Sequence, residues 1–230
     1  MDRFRNRAEA GQRLAERLAA YRASETPVCV LGLARGGVPV AFEIAMALHA
    51  PLDVFIVRKL GVPGYEELAM GAIASGGVQV LNADVISGLR IPDYIIASVT
   101  AREQQELNRR ERAYRGDRPP PAVQGRVVIL VDDGIATGAT MRAAIRALRA
   151  QEPARIVVAV PVALPEECEA LREEVDEVVC LLQPHWVGGI GLWYEDFRPV
   201  TDQQVRDLLA RAATSGKQSP PATRRLPSTP

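Results

Sequence analysis

Aromatic residues make up only 5% of this 230-residue chain, and cysteine and histidine are scarcer still, at three and two. Cys29, Cys168 and Cys180 are far apart and sit in apolar or helical surroundings. They read as free thiols of a reducing compartment, not as a disulfide framework. His49 and His185 show no ligand spacing, which speaks against a histidine-built metal centre. Neither sign of charge prevails, because Lys+Arg and Asp+Glu are both 28, so no overall field draws the chain to nucleic acid or anionic lipid. No apolar run approaches the roughly 20 residues of a membrane helix. Met1 to Leu18 spreads its charges and lacks the apolar centre of a secretion signal. The expectation is a cytoplasmic protein with neither a membrane nor a nucleic-acid partner.

What is present is an alternation of apolar runs and amphipathic stretches. Residues 4–22 carry Leu14, Leu18 and Tyr21 on one helical face, and Val28 to Leu31 reads as a buried strand. The turn Leu33 to Gly37 leads into a helix over about 38–48. A second strand spans 52–57 and ends at Arg58-Lys59. Residues 60–67 form a Gly/Pro-rich loop, and 68–81 a hairpin about Gly76-Gly77. Pro92 to Arg118 is a charged helix, closed by three prolines from Pro119. Strands at 126–131, 156–160 and 177–182 alternate with helices at 139–149 and 165–174, and Thr201 caps a last helix to Ala212. The pattern predicts an α/β fold: an open, mostly parallel twisted sheet flanked by helices. Residues 1–212 are expected to form one domain. The tail 213–230, rich in Ser, Thr, Pro and Arg, has little to bury and is expected to be disordered.

The most informative stretch is Val128 to Thr140. Four apolar residues end in two carboxylates, Asp132 and Asp133. Ala136, Thr137, Gly138, Ala139 and Thr140 follow, and a helix begins. In an open parallel sheet, strand C-terminal ends line the ligand crevice. Small residues let backbone N–H groups approach a phosphate at a helix N-terminus, whose dipole favours anions. Two adjacent carboxylates suit the hydroxyl pair of a ribose or a hydrated Mg²⁺. Competing phosphate motifs do not fit. There is no G-x-x-x-x-G-K-[ST], and Gly188-Gly189-Ile190-Gly191 lacks the strand–helix context of a dinucleotide fingerprint.

This segment resembles the phosphoribosyl pyrophosphate (PRPP) signature of type I phosphoribosyltransferases. The resemblance implies that Asp132 and Asp133, as the catalytic acids, hold the ribose 2′- and 3′-hydroxyls, while Ala136 to Thr140 cradle the 5′-phosphate. Gly134 departs slightly, since an aliphatic residue is more usual there. Ala34-Arg35-Gly36-Gly37 is similar to the family's pyrophosphate loop, and Arg58-Lys59 would add charge for the same group. Gly61 to Glu67 resembles a loop that closes over the site. ELAMGAIASGG at 67–77 and WYEDF at 193–197 resemble a bacterial group of unassigned acceptor.

The implied reaction displaces pyrophosphate from C1 of Mg²⁺-bound PRPP by a nucleophile, usually a ring nitrogen. Mg²⁺ is expected to arrive on PRPP, near Asp132 and Asp133, without a direct protein ligand. In 6-oxopurine enzymes a third acid stands three residues after the second Asp. Here that position is Ala136, which disfavours such an acceptor. The acceptor would lie under a hood at about 182–197 plus part of the N-terminus. Trp186, Trp193, Tyr194 and Phe197 there either stack on a flat ring or seal a small core, and Trp186 is the stacking candidate. Two alternatives stand beside the transferase: a PRPP-sensing regulator, possibly RNA-binding through the arginines of 102–118, and a hydrolase with water as acceptor. Family habit suggests a homodimer.

Overall fold

The structure, a computed structural model, describes residues 3–116 and 118–215. The last stretch, 216–230, lies outside the described residues, and with it most of the segment expected to be disordered.

The strand β6 (Val127–Val131) shows how the main sheet is made. Its 5 residues are all apolar and all buried. Alternation sends Val128 and Leu130 to one face and Val127, Ile129 and Val131 to the other. Each such burial stabilises by about 1.5–3 kcal/mol, so the strand and its tip are firmly set. Around it lie β1 (Val28–Leu33), β2 (Leu52–Phe55), β7 (Arg155–Val162) and β8 (Glu177–Leu182). All are parallel, in the order β2-β1-β6-β7-β8. Helices α1 (Arg7–Arg17) and α2 (Gly37–Leu48) cover one face through Leu14, Val40 and Ile44. Helices α5 (Ala139–Arg149) and α6 (Pro165–Arg172) cover the other through Met141, Ile145 and Leu171. The expected parallel sheet with helices on both faces is present.

From β1 the chain runs through α2 to β2 on one side, and from β6 through α5 to β7 on the other. The loops after β1 and β6 therefore part in opposite directions at a topological switch point, where open α/β sheets bind ligands.

A second, antiparallel sheet of β3 (Val57–Val62), β4 (Tyr65–Ala74) and β5 (Val78–Leu81) packs under α4 (Asp93–Arg115). This corrects the expected strand over 52–57. The chain leaves the main sheet at Ile56, whose N–H donates to Ser75 Oγ at 3.1 Å while its carbonyl accepts from Ser75 N–H at 2.9 Å. The apolar run continues unbroken, but its hydrogen-bonding partner changes. Arg58 and Lys59 consequently lie inside β3 and not at the tip of β2. The expected loop at 60–67 is mostly strand, a hairpin turning at Pro63-Gly64 with Gly64 at φ +82°.

Other boundaries differ for local reasons. Asn6 caps α1 by accepting from Glu9 N–H at 3.0 Å, so residues 4–6 are not helical, and Ala19–Ala23 is a separate 3₁₀ turn. A short helix, α3 (Ala83–Gly88), follows Asn82, whose side chain accepts from Val85 N–H; the Asn is itself a cap signal in the sequence. Thr201 caps α7 (Asp202–Ser215) as expected, with Gln204 reciprocating. The helix continues through Ala213 to Ser215, the first residues of the expected tail.

Candidate functional site

Residues Gly32 of β1 and Val131 of β6 are paired in register, so the two loops that follow leave side by side. Their contact needs glycine. A Cβ on Gly37 would overlap the Val131 carbonyl oxygen, and one on Gly36 would overlap Asp133 Oδ2. The loop Ala34 to Gly37 thus lies directly against the acid-tipped end of β6. Its Ala34–Arg35 peptide bond is cis.

Asp132 and Asp133 sit half-buried at that tip. Asp132 Oδ1 accepts from the Asp133 N–H at 2.9 Å. Burial pushes the Asp132 carboxyl well above the usual carboxylate range, and the neighbouring Asp133 charge adds to the rise. Burial raises Asp133 too, against the opposing pull of Arg7. Arg7 Nε donates to Asp133 Oδ2 at 2.8 Å. The Tyr194 hydroxyl donates to the Asp133 carbonyl at 2.7 Å.

The run after the acids forms a concave turn. Ile135 N–H donates to the Val162 carbonyl at 2.8 Å, which anchors the loop to β7. Gly138 takes φ +66° and opens α5. The first helical bond runs from Arg142 N–H to the Gly138 carbonyl, so the first-turn amides point outward without intrahelical acceptors. A cavity of about 180 Å³ results, lined by Asp132, Gly134 and the run Ile135 to Met141, with Ile190 above. Ile190 occupies the space a side chain at Gly134 would need, 2.6 Å from its missing Cβ. Arg142 braces the turn: its guanidinium donates to the Thr137 carbonyl at 3.0 Å and pairs with Glu167 and Glu174.

The remaining expected residues are not all gathered here. Arg35 is half-exposed and leans toward Asp202 at 3.3 Å. Arg58 pairs with Glu103 on α4. Lys59, on the opposite face of β3, lines a separate cavity of about 240 Å³ whose other wall includes Thr137 and Arg142. Of the hood aromatics, Trp193, Tyr194 and Phe197 seal a small core with Phe4 and Val162. Trp186 is 65% exposed, its ring lying over Gly188. The hood is stitched to the N-terminal segment by Phe4 N–H to the Trp193 carbonyl and Glu195 N–H to the Phe4 carbonyl, each 2.9 Å.

Arg7, Ile190 and Arg142 are the participants the sequence reading missed, and Tyr194, expected as a hood aromatic, also bonds the Asp133 carbonyl. Arg142 carried a readable signal, one turn into the helix after the small-residue run. Arg7 carried none, standing among Arg3 and Arg5 in a basic stretch.

Set beside known proteins, this architecture has relatives. The crystal structure of TT1426 from Thermus thermophilus is 46% identical, covers 91% of this chain and 98% of its own, and superposes with a TM-score of 0.81. Two strains of Mycobacterium tuberculosis carry a protein provisionally named a phosphoribosyl transferase, 45% identical over 212 residues, or 92% of this chain and 47% of the relative. The chain spans about half the length of the curated relatives it matches. The model of the phosphoribosyl transferase domain matches residues 2–195. That match runs from the N-terminal segment across the acid-tipped strand and into the hood, and by it the chain belongs to the phosphoribosyl transferase domain family.

Proposed function

We propose that the protein is a phosphoribosyltransferase that binds Mg²⁺-PRPP and transfers its phosphoribosyl group to a nitrogen acceptor. The observation that carries this is the packing of the glycine loop 34–37 against the acid pair 132–133 at the β1/β6 switch point, beside a small-residue cradle. Asp132 and Asp133 orient the ribose through its hydroxyls. The amides of Ala136 to Thr140, with the Thr137 and Thr140 hydroxyls, hold the 5′-phosphate. The acceptor's lone pair forms the bond to C1 as the bond from C1 to pyrophosphate breaks, and the bonding electrons leave with pyrophosphate. Arg35 and the Gly36-Gly37 amides stabilise that developing charge. Arg58 has less support for this role, given its pairing with Glu103, and the cavity that Lys59 shares with Thr137 supports a role for Lys59 beside the 5′-phosphate instead.

The donor set fits Mg²⁺: hard carboxylate oxygens beside an anion cradle. Asp132 and Asp133 would hold the ion through water, and bound on PRPP it would neutralise leaving-group charge. Ala136, which replaces the third acid, supports an acceptor other than a 6-oxopurine, and exposed Trp186 is the ring-stacking candidate. A cytoplasmic location and a homodimer belong to this proposal. No helix among the described residues is long and apolar enough to cross a membrane. An RNA face on α4 lacks support, because Arg102, Arg109, Arg110 and Arg115 are paired with acids.

The test is pyrophosphate release from Mg²⁺-PRPP across a panel of nucleobases and related heterocycles, with the Asp132→Asn/Asp133→Asn variant as control. Release that depends on one acceptor and vanishes in the variant is expected. Release without any acceptor would make the protein a hydrolase, and tight binding without release a sensor.

A further inference from the structure

Two carboxyl groups at a half-buried strand tip repel each other when charged, and a cation beside them offsets that repulsion. Among the described residues, one guanidinium pairs with them. Arg7, in the first turn of α1, lies 2.8 Å from Asp133 Oδ2, and the two side chains are only 11% and 15% exposed. It is held from other directions too. Its Nη1 donates to the Arg198 carbonyl at 3.0 Å, and its guanidinium carbon stands 3.9 Å from the Phe197 ring centroid. Phe197 stacks on Tyr194, centroids 5.0 Å apart, and Tyr194 in turn bonds the Asp133 carbonyl. The same carboxylate abuts Gly36, with Oδ2 nearest the glycine. The acid is clamped between α1 and the glycine loop.

We propose that Arg7 is a positioning residue for sugar binding: by gripping Oδ2 it keeps the Asp133 carboxyl group turned, with Oδ1 left for a ligand hydroxyl. This rests on reading the acid pair as the ribose-diol site. The geometry fits. Among the described residues, neither Asp133 Oδ1 nor the second oxygen of Asp132 takes a protein hydrogen bond. The clamp also ties the hood to the site, since the segment that pairs with Phe4 supplies both Phe197 and the Arg198 carbonyl.

The other charged or titratable groups around the pair do not replace Arg7. Arg198 is bound to Asp196 at 2.6 Å. Arg35, from the glycine loop, leans toward Asp202. Tyr194 stays protonated, its hydroxyl raised far above its ordinary range by burial and by the nearby Asp133 charge.

The experiment compares the full chain with Arg7→Lys and Arg7→Met. Calorimetric titration with Mg²⁺-PRPP is run beside titrations with ribose 5-phosphate and with pyrophosphate, and the Asp133 side-chain carboxyl is observed by ¹³C NMR without ligand. Arg7→Met is expected to weaken PRPP and ribose 5-phosphate about ten-fold or more and pyrophosphate little, and to move the Asp133 carboxyl resonance. Arg7→Lys should restore most of the affinity. Equal affinity of Arg7→Met and wild type for PRPP would reduce the contact to a structural ion pair. Equal losses for all three ligands would refute a role directed at the ribose. If wild type itself fails to bind PRPP, the diol reading falls. The Asp133 resonance then still reports whether Arg7 sets that side chain.

Discussion

At Gly36 and Gly37 a side chain would overlap the end of β6, so glycine there serves packing as well as ligand approach. Replacing either would displace the loop and confuse the two roles. Arg35 separates them, because it is half-exposed and held by a 3.3 Å contact to Asp202, an exposed ion pair that contributes little to stability. Arg35→Ala is expected to leave the melting temperature nearly unchanged and to weaken pyrophosphate more than ribose 5-phosphate in calorimetry. Equal losses for both ligands would show that the loop does not face the diphosphate. The acid pair and the small-residue cradle were legible in sequence because they are contiguous and each residue type has a local chemical reason. Arg7 was not legible: its contact with Asp133 spans 126 positions, and nothing in its neighbourhood distinguishes it from Arg3 or Arg5.

Among the elements, α4 is joined to the sheets by one buried guanidinium. Arg115 is 5% exposed; it pairs with Asp53 at 3.0 Å and Glu111 at 2.7 Å and donates to the Val54 carbonyl and Ser75 Oγ. It thus binds the helix both to β2 and to the crossing where the chain passes between sheets. Removing one partner of a buried pair leaves an uncompensated charge, so Arg115→Ala should cost about 3–5 kcal/mol in urea denaturation. Burial already raises the Asp53 carboxyl, and Arg115 opposes that rise. Without Arg115 the folded-state value climbs further. A carboxyl raised on folding contributes stability at acid pH and loses it as pH rises through the folded value. The Arg115→Ala deficit should therefore be largest near neutrality and shrink on acidification toward about pH 4, the ordinary value of an unfolded Asp. A deficit that is small and flat with pH would contradict this picture. The same crossing explains the main misreading of the sequence. Val54 to Val57 is an unbroken apolar, strand-forming run across the crossing, and the change of sheet at Ile56 depends on Ser75, 19 positions away. Arg58 was misplaced with it, and β3 hands it to Glu103 instead.

For the whole molecule, apolar strand runs alternating with helices were enough to anticipate the parallel sheet, since both faces of β6 must be covered and the sequence supplies a helix on each side. The order of strands was not anticipated. It follows from long-range pairing, and it is this order that sets β1 beside β6 and brings the glycine loop to the acids. A larger cleft of about 590 Å³, lined by Arg7, Arg198, Pro39 and residues of α7, shares no wall residue with the cradle, and it is the competing place for a sugar phosphate. Diffraction from a crystal soaked with PRPP and Mg²⁺ separates the two. The account predicts the 5′-phosphate on the amides of Ala136 to Thr140 and the ribose hydroxyls at Asp132 and Asp133. Density for the ligand in the α7 cleft, with the cradle empty, would contradict it.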